Sequence, residues 1–444
     1  MSKKTGPGIL RHWQFLDVRG VAQLATHATL GVTGMVEGVH QSVLSTMGLP
    51  GGSEPGRARG LTGLVYKSVR GVTQVVGQGL EQSLTLLQTL LPPAAEKAET
   101  RERAALLAAV NGVMGDALAA SASPFAIPMT LYCNGQAVMT MRADGQLPQA
   151  AHDAPGAASA QAPVLSPLFP PLTPPADEVN GKLLLIIHGL CMNELQWTQA
   201  EPAVLPRSDH GAELAAQRGY TPLYLRYNSG LHVSQNGAQL AVMLQQVLAQ
   251  WPVPVTELSV LVHSMGGLVI RSALHTANEQ GMDWPQTLQN IVFLGTPHHG
   301  APLERAGNWV DLLLAATPWS KPLAKIGHLR SSGITDLRYG MLLQQDWFGR
   351  DRFQRQPDLR QPLPLPEHVA CYTVAAALAG KTGVLAERLL GDGLVPLRSA
   401  LGQHDDPAQQ LYFTGQAIFY NMDHMAMLYR PEITQQLLAW LPEK

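Results

Sequence analysis

Between residues 180 and 444 the chain alternates short apolar runs with segments of helical period. KLLLII (182–187), TPLYLRY (221–227), LSVLV (258–262), IVFLG (291–295), VACYTV (369–374) and LYFT (411–414) have the length and the β-branched or aromatic content of strands. Helical period marks 234–250, 266–278 and 431–441. Strands that are apolar almost throughout, separated by helices, predict an α/β domain with a mostly parallel central sheet covered on both faces.

Ahead of that domain the pattern changes. Residues 20–46 and 60–91 are helical in period and repeat every eleven residues. Leu61, Leu64, Val65 and Val69 return as Val72, Val75, Val76 and Leu80; Val21, Leu24, Ala25 and Ala28 return as Val32, Met35, Val36 and Val39. Eleven residues in three turns is about 3.67 per turn, close to a straight α-helix, so the apolar stripe runs almost parallel to the axis. Such a stripe suits a flat partner, either a neighbouring helix or a membrane-like surface. Residues 101–119 form a third helical segment, and LYCNGQAVMTM (131–141) reads as a hairpin around Asn-Gly. The stretch 147–178 is rich in Pro and Ala and reads as a linker.

The expected organisation is therefore an amphipathic helical region (1–98), a helix plus hairpin (99–146), a linker (147–179) and an α/β domain (180–444). Residues 301–360 fall between two sheet strands and are long enough to cap a site. Their apolar members Trp309, Leu312, Leu313, Leu314 and Trp319 suit a packed cap more than an acyl-chain pocket.

Composition narrows the function. A net charge of −2 and the lack of a long basic stripe argue against a nucleic-acid partner. Cys133, Cys191 and Cys371 are too scattered for a disulfide framework or a metal site and suit a reducing compartment. The basic start MSKKTGPGILRHWQFLDVRG lacks a signal-length apolar run, and no uninterrupted apolar run of membrane-spanning length occurs. The expectation is a cytoplasmic protein whose residues 20–91 pack within the molecule or against another subunit, with peripheral contact to a membrane or other apolar surface as the alternative. Lys67 and Arg70 are the few cations on the polar face of 60–91, so apolar burial would dominate that contact.

The chemistry starts at LSVLVHSMGGLVIRSAL (258–274), where a strand-like run meets a helical one at a polar corner holding Ser264. A nucleophile elbow lifts a serine above the sheet on such a turn, and the helix start aims free amides at a forming oxyanion. Met265 N–H is one donor. The motif departs from G-x-S-x-G at its first position, where Val262 is expected to widen or twist the turn. The loop after the strand at 182–187 begins His188-Gly189-Leu190 and offers Leu190 N–H as the second donor. In elbow enzymes the acid and then the histidine follow the serine along the chain. Asp392, between two glycines in GDGLVP, and His424, in DHMAML after the final strand, fill those places. Asp405 and Asp406 lie in a polar loop, Asp423 adjoins the histidine, and Asp311 and Asp336 come too early. The pair His298-His299 in GTPHHG follows the next strand and suits a structural or cleft-wall role, with no partner ligands at metal spacing.

Taken together, HSMGGLV, GTPHHG, GDGLVP and DHMAML give residues 180–444 a resemblance to the α/β-hydrolase superfamily. The branch resembled is that of bacterial lipases and esterases, near the relatives of GPI-inositol deacylase. The resemblance implies Ser264 as nucleophile, Asp392 as acid and His424 as base, with Leu190 and Met265 forming the oxyanion hole. It implies no metal and no organic cofactor, and a small-molecule or lipid ester as substrate. An acyltransferase or a depolymerase of storage polyester would use the same residues. A surface-binding protein with a vestigial hydrolase domain is the reading of another class.

Overall fold

The computed structural model describes residues 100–141, 174–198, 208–301, 330–350, 358–380 and 391–441. The helices expected at 20–46 and 60–91, most of the linker, and the apolar members Trp309 to Trp319 of the insertion lie outside them. The chain divides into two compact units, and the second, Arg101–Ala122 with Ala126–Lys444, carries every element below.

Eight strands form one sheet: β1 (Thr130–Cys133), β2 (Gln136–Thr140), β3 (Lys182–Ile187), β4 (Thr221–Arg226), β5 (Glu257–His263), β6 (Leu288–Leu294), β7 (Ala370–Ala377) and β8 (Gly415–Tyr420). Their spatial order is β2-β1-β4-β3-β5-β6-β7-β8. From β4 to β8 every neighbouring pair is parallel; β1 runs antiparallel to both β4 and β2. Among the described residues the α-helices are α1 (Arg101–Ala120), α2 (His210–Arg218), α3 (Val233–Ala249), α4 (Gly266–Glu279), α5 (Ser332–Asp336), α6 (Gln344–Trp347), α7 (Leu397–Ala400) and α8 (Pro431–Trp440).

Both faces of the sheet are covered, as the unbroken apolar strands require. Along β3, Leu183, Leu185 and Ile187 join an apolar layer with Leu240 and Leu244 of α3 and Leu268 and Val269 of α4. Leu184 and Ile186 point the other way, into a layer with Leu214 of α2 and Ile433 and Leu437 of α8. Each such leucine or isoleucine contributes about 1.5–3 kcal/mol by leaving water. Within the second layer His210 ties α2 to α8: Thr434 Oγ1 lies 2.8 Å from its Nδ1, and its Nε2–H donates to Met427 O at 2.9 Å.

Two elements differ from the sequence reading. The hairpin and α1, expected ahead of the domain, are built into it. Leu131, Tyr132 and Cys133 pair with Leu225, Tyr224 and Leu223 of β4, so β1 and β2 extend the central sheet across the linker. The turn itself is as expected: Asn134 and Gly135 have φ of 49° and 75°, the left-handed pair that a two-residue hairpin needs. The last strand is displaced. LYFT (411–414) is irregular, and pairing starts at Gly415. Thr414 docks on the start of β7, its N–H donating to Cys371 O at 2.7 Å and its Oγ1 accepting from Cys371 N–H at 3.1 Å. Phe413 leaves the strand path to pack on Phe293, with ring centroids 6.0 Å apart. The apolar run is thus a core contact, and the strand follows it.

Helix α1 is long and apolar enough to cross a membrane by length and composition. In the structure Ala104, Ala108, Ala109, Gly112 and Val113 are buried within the domain instead.

Candidate active site

The strand order places the site. After β3 the chain passes to β4 on one side, then to β5 on the other side of β3. Connections leave β3 and β5 in opposite directions, which opens a crevice beyond their carboxyl ends. Gly189-Leu190 follow β3 there, and Ser264 follows β5.

Ser264 stands on the elbow that the sequence predicts. Its φ is +54°, a left-handed conformation that costs a non-glycine residue about 1–3 kcal/mol and persists only where the surroundings hold it. Its N–H donates to Leu294 O at 2.9 Å, and its carbonyl accepts from Gly267 N–H at 3.1 Å. The helix start meets the end of β3 so closely that a Cβ on Gly266 would lie 2.7 Å from His188 O. Val262, expected to disturb the turn, does not. It is fully buried in the layer of α3 and α4, between Ile187 and Phe293 in the neighbouring strands. The tight approach falls at Gly266 instead of at 262. Val262→Gly, which would restore the motif, should therefore cost about 2–4 kcal/mol through the cavity and the looser backbone. Turnover should stay within about threefold, and urea unfolding beside an activity assay checks both.

The loop after β3 lies against the serine. A Cβ on Gly189 would stand 2.9 Å from Ser264 Cβ. Among the described residues neither Leu190 N–H nor Met265 N–H donates to a protein acceptor. His188, which the sequence shows only as part of a turn, fixes this loop. Its Nδ1 lies 2.8 Å from Gly189 O, and its Nε2 accepts from Tyr227 N–H at 3.3 Å. Nδ1 therefore carries the proton. Because a trans peptide points its C=O and N–H in opposite directions, anchoring Gly189 O orients Leu190 N–H. The His188 ring also stacks on Tyr227 at 4.4 Å.

Burial drives the His188 pKa down to about 3 and that of His210 down to about 4. Both are neutral in the fold and take up protons below about 6.5 once unfolded. Their contribution to stability is complete above about pH 6.5 and is lost as pH falls toward 4 and 3. Each should cost roughly 1.4 kcal/mol per pH unit over that window. Urea midpoints should fall from pH 7 to pH 5, and His210→Gln should flatten the slope; an unchanged midpoint would contradict the assignment.

Asp392 and His424 meet as the order along the chain predicts. Asp392 Oδ2 lies 2.6 Å from His424 Nδ1, and Asp392 Oδ1 accepts from Leu394 N–H at 2.9 Å and Val395 N–H at 2.8 Å. His424 N–H returns to Asp392 O at 3.1 Å. Both side chains are almost fully buried. Among the described residues His424 Nε2 is buried and has no hydrogen-bond partner, so it makes no hydrogen bond with the Ser264 hydroxyl. The two are neighbours through β6: Ser264 N–H bonds Leu294 O, and the next residue, Gly295, lies so near the His424 ring that a Cβ would be 3.1 Å from Cε1.

The role of His263, like that of His188, is not legible in the sequence. His263 Nε2–H donates to His424 O at 3.0 Å, and the two rings lie 4.5 Å apart between centroids. Burial, then the neighbouring His424, holds its pKa well below the ordinary value. The only signal was its place beside the elbow serine. The rival carboxylates are engaged elsewhere: Asp405 with Arg398 at 2.5 Å, Asp423 with the amides of Met425 and Ala426, and Asp336 with His232 at 2.9 Å. Asp311 lies outside the described residues. His298 and His299 pack beside Arg271 and Arg360: Arg271 Nη1 approaches His298 Nδ1 at 3.3 Å, and Arg360 donates to His298 O at 3.0 Å.

A mostly parallel sheet covered on both faces, with a serine at a left-handed strand–helix corner, defines the α/β-hydrolase fold. Residues 166–337, under half of the chain, match a sequence family described as a domain of unknown function (DUF7379). No curated protein matches the chain. Among solved structures, the mature lipase BlEst2 of Bacillus licheniformis is similar at 20% identity, covering 61% of this chain and 94% of that one, with a TM-score of 0.37. An esterase of Pyrococcus furiosus is similar at 12% identity, covering 59% and 82%, with a TM-score of 0.33. A metagenomic carboxyl esterase is similar at 17% identity, covering 77% and 87%, with a TM-score of 0.32.

Proposed function

We propose that this chain is a serine hydrolase that cleaves carboxylic esters through an acyl-enzyme. The observation that carries the reading is the buried Asp392–His424 pair at 2.6 Å, with its outer nitrogen unpartnered beside the elbow of Ser264. Asp392 accepts from Nδ1–H of His424, which leaves Nε2 as the basic nitrogen. Ser264 Oγ attacks the ester carbonyl while its proton passes to His424 Nε2. The carbonyl oxygen becomes an oxyanion between the N–H groups of Leu190 and Met265. As the intermediate collapses, the ester C–O bond breaks and the departing alcohol takes the proton from His424. Water, deprotonated by the same nitrogen, then releases the acid and restores Ser264.

The test uses the full chain with p-nitrophenyl esters of increasing acyl length, and a fluorophosphonate probe with its attachment mapped. The expected result is turnover of at least one ester and labelling at Ser264. No turnover across the panel, together with no labelling, would overturn the reading. Product analysis with added alcohol distinguishes hydrolysis from acyl transfer.

A further inference from the structure

Helix α1 reaches the domain from ahead of the Pro- and Ala-rich stretch, and its backbone touches the loop that carries Leu190. At Gly112 a Cβ would stand 2.2 Å from Cys191 Sγ and 2.9 Å from both Cys191 N and Cα. At Gly115 it would meet Asn228 Oδ1 at 1.8 Å. The opposing Gly230 is equally close, a Cβ there falling 2.1 Å from Asn111 O. The helix backbone therefore lies directly on two loops, 191 and 228–230.

Hydrogen bonds lock the same contact. α1 kinks at Met114, with φ −143° and ψ 24°, which turns nearby carbonyls out of the helical ladder. Gly115 O accepts from Asn228 Nδ2 at 2.9 Å and Gly112 O from Ser331 Oγ at 2.6 Å. Asp116 Oδ2 accepts from Ser332 N–H at 3.0 Å and Ser332 Oγ at 2.9 Å. On the far side of the contact, Cys191 N–H donates to Ser229 Oγ at 3.1 Å. Cys191 itself is held at a φ of +60°. A residue with a side chain keeps that conformation only under outside constraint, and this one directly follows Leu190.

We propose that α1 is a positioning element of the reaction: its Gly112–Cys191 contact holds residue 191 left-handed and thereby aims Leu190 N–H at the oxyanion. The inference rests on the ester-hydrolase reading and adds to it a helix from outside the strand–helix alternation. Packing alone would also bury small residues against a loop. What distinguishes the proposal is that the loop in question carries an oxyanion donor, in a conformation that its own sequence disfavours.

The experiment compares three variants of the full chain on a soluble p-nitrophenyl ester. Gly112→Ala forces a methyl into Cys191 and should lower kcat roughly 10²-fold with KM within about twofold, since misaiming an oxyanion donor acts on the transition state alone. Cys191→Ala removes the sulfur that meets Gly112 and keeps a side chain that disfavours the left-handed backbone; the residue is then free to relax, which should lower kcat about tenfold, again with little change in KM. Gly211→Ala on α2 is the control, since its Cβ would strike Tyr224 Oη at 2.2 Å, away from the oxyanion loop. It should lower the melting temperature and leave kcat unchanged. If Cys191→Ala keeps wild-type kcat, or Gly211→Ala loses as much kcat as Gly112→Ala, the proposal is overturned. If Gly112→Ala fails to fold, Cys191→Ala decides. Ser264→Ala run alongside separates the two levels: turnover that survives it removes the hydrolase reading, whereas turnover that it abolishes, with Cys191→Ala unaffected, removes only the role of α1.

Discussion

Under the proposed function, Ser264→Ala is expected to lower kcat/KM on an ester substrate by roughly 10³-fold or more, at least about 4 kcal/mol of transition-state stabilisation, while the protein stays folded. The size follows from the proposed mechanism: without Oγ no acyl-enzyme would form, and only the oxyanion amides and substrate positioning would remain. Folding survives because the serine is held by its backbone. The bond from Ser264 N–H to Leu294 O and the acceptance from Gly267 N–H do not involve the hydroxyl. The left-handed φ of +54° is no worse for alanine than for serine. Fluorophosphonate labelling should vanish with activity. Turnover near that of the wild type would remove Ser264 from the mechanism.

Asp392→Asn should be as damaging, with a loss of roughly 10⁴-fold in kcat. The local geometry dictates which way the amide faces. Oδ1 is held by the N–H groups of Leu394 and Val395, at 2.9 and 2.8 Å. An asparagine keeps its carbonyl oxygen there and turns its NH₂ toward His424 Nδ1. A donor at that place requires Nδ1 to be the acceptor, so the proton moves to Nε2 and the base is blocked. Asp405→Asn and Asp406→Asn should change turnover by less than about twofold, because surface substitutions away from the site alter little; Asp405 is exposed and paired with Arg398. A pH–rate profile and turnover numbers for the three variants check the assignment. A silent Asp392→Asn would require another carboxylate.

The parts of the fold that were legible share one property: their evidence is local. KLLLII forms β3 over the same residues that its pattern marked, and α4 starts at Gly266, directly after the serine corner. Asp392 and His424, separated by 32 positions, come together because both occupy loops at the carboxyl ends of adjacent strands. The order of strands and loops along the chain carried that information. The roles of His188 and His263 are not legible in this way, because a histidine in a turn looks the same whether it anchors a loop or faces water. Their roles exist only in partners such as Tyr227 N–H and His424 O, which are 39 and 161 positions away.

Sequence by itself determined the alternation of strands and helices, the corner at Ser264 and the candidates that follow it, since periodicity and turn chemistry act over a few residues. Tertiary structure alone decided where edges and supports lie. The hairpin at 130–140 is locally a hairpin, but its membership of the central sheet depends on β4, some ninety residues on. LYFT has the composition of a strand, yet Thr414 docks on β7 and the pairing starts one residue later. Val262 breaks the motif in sequence and is harmless in space, because the close approach falls at Gly266. The small residues of α1 have meaning only against Cys191 and Asn228. Pairing and close packing join residues distant in the chain, and no local period encodes which partners they will be.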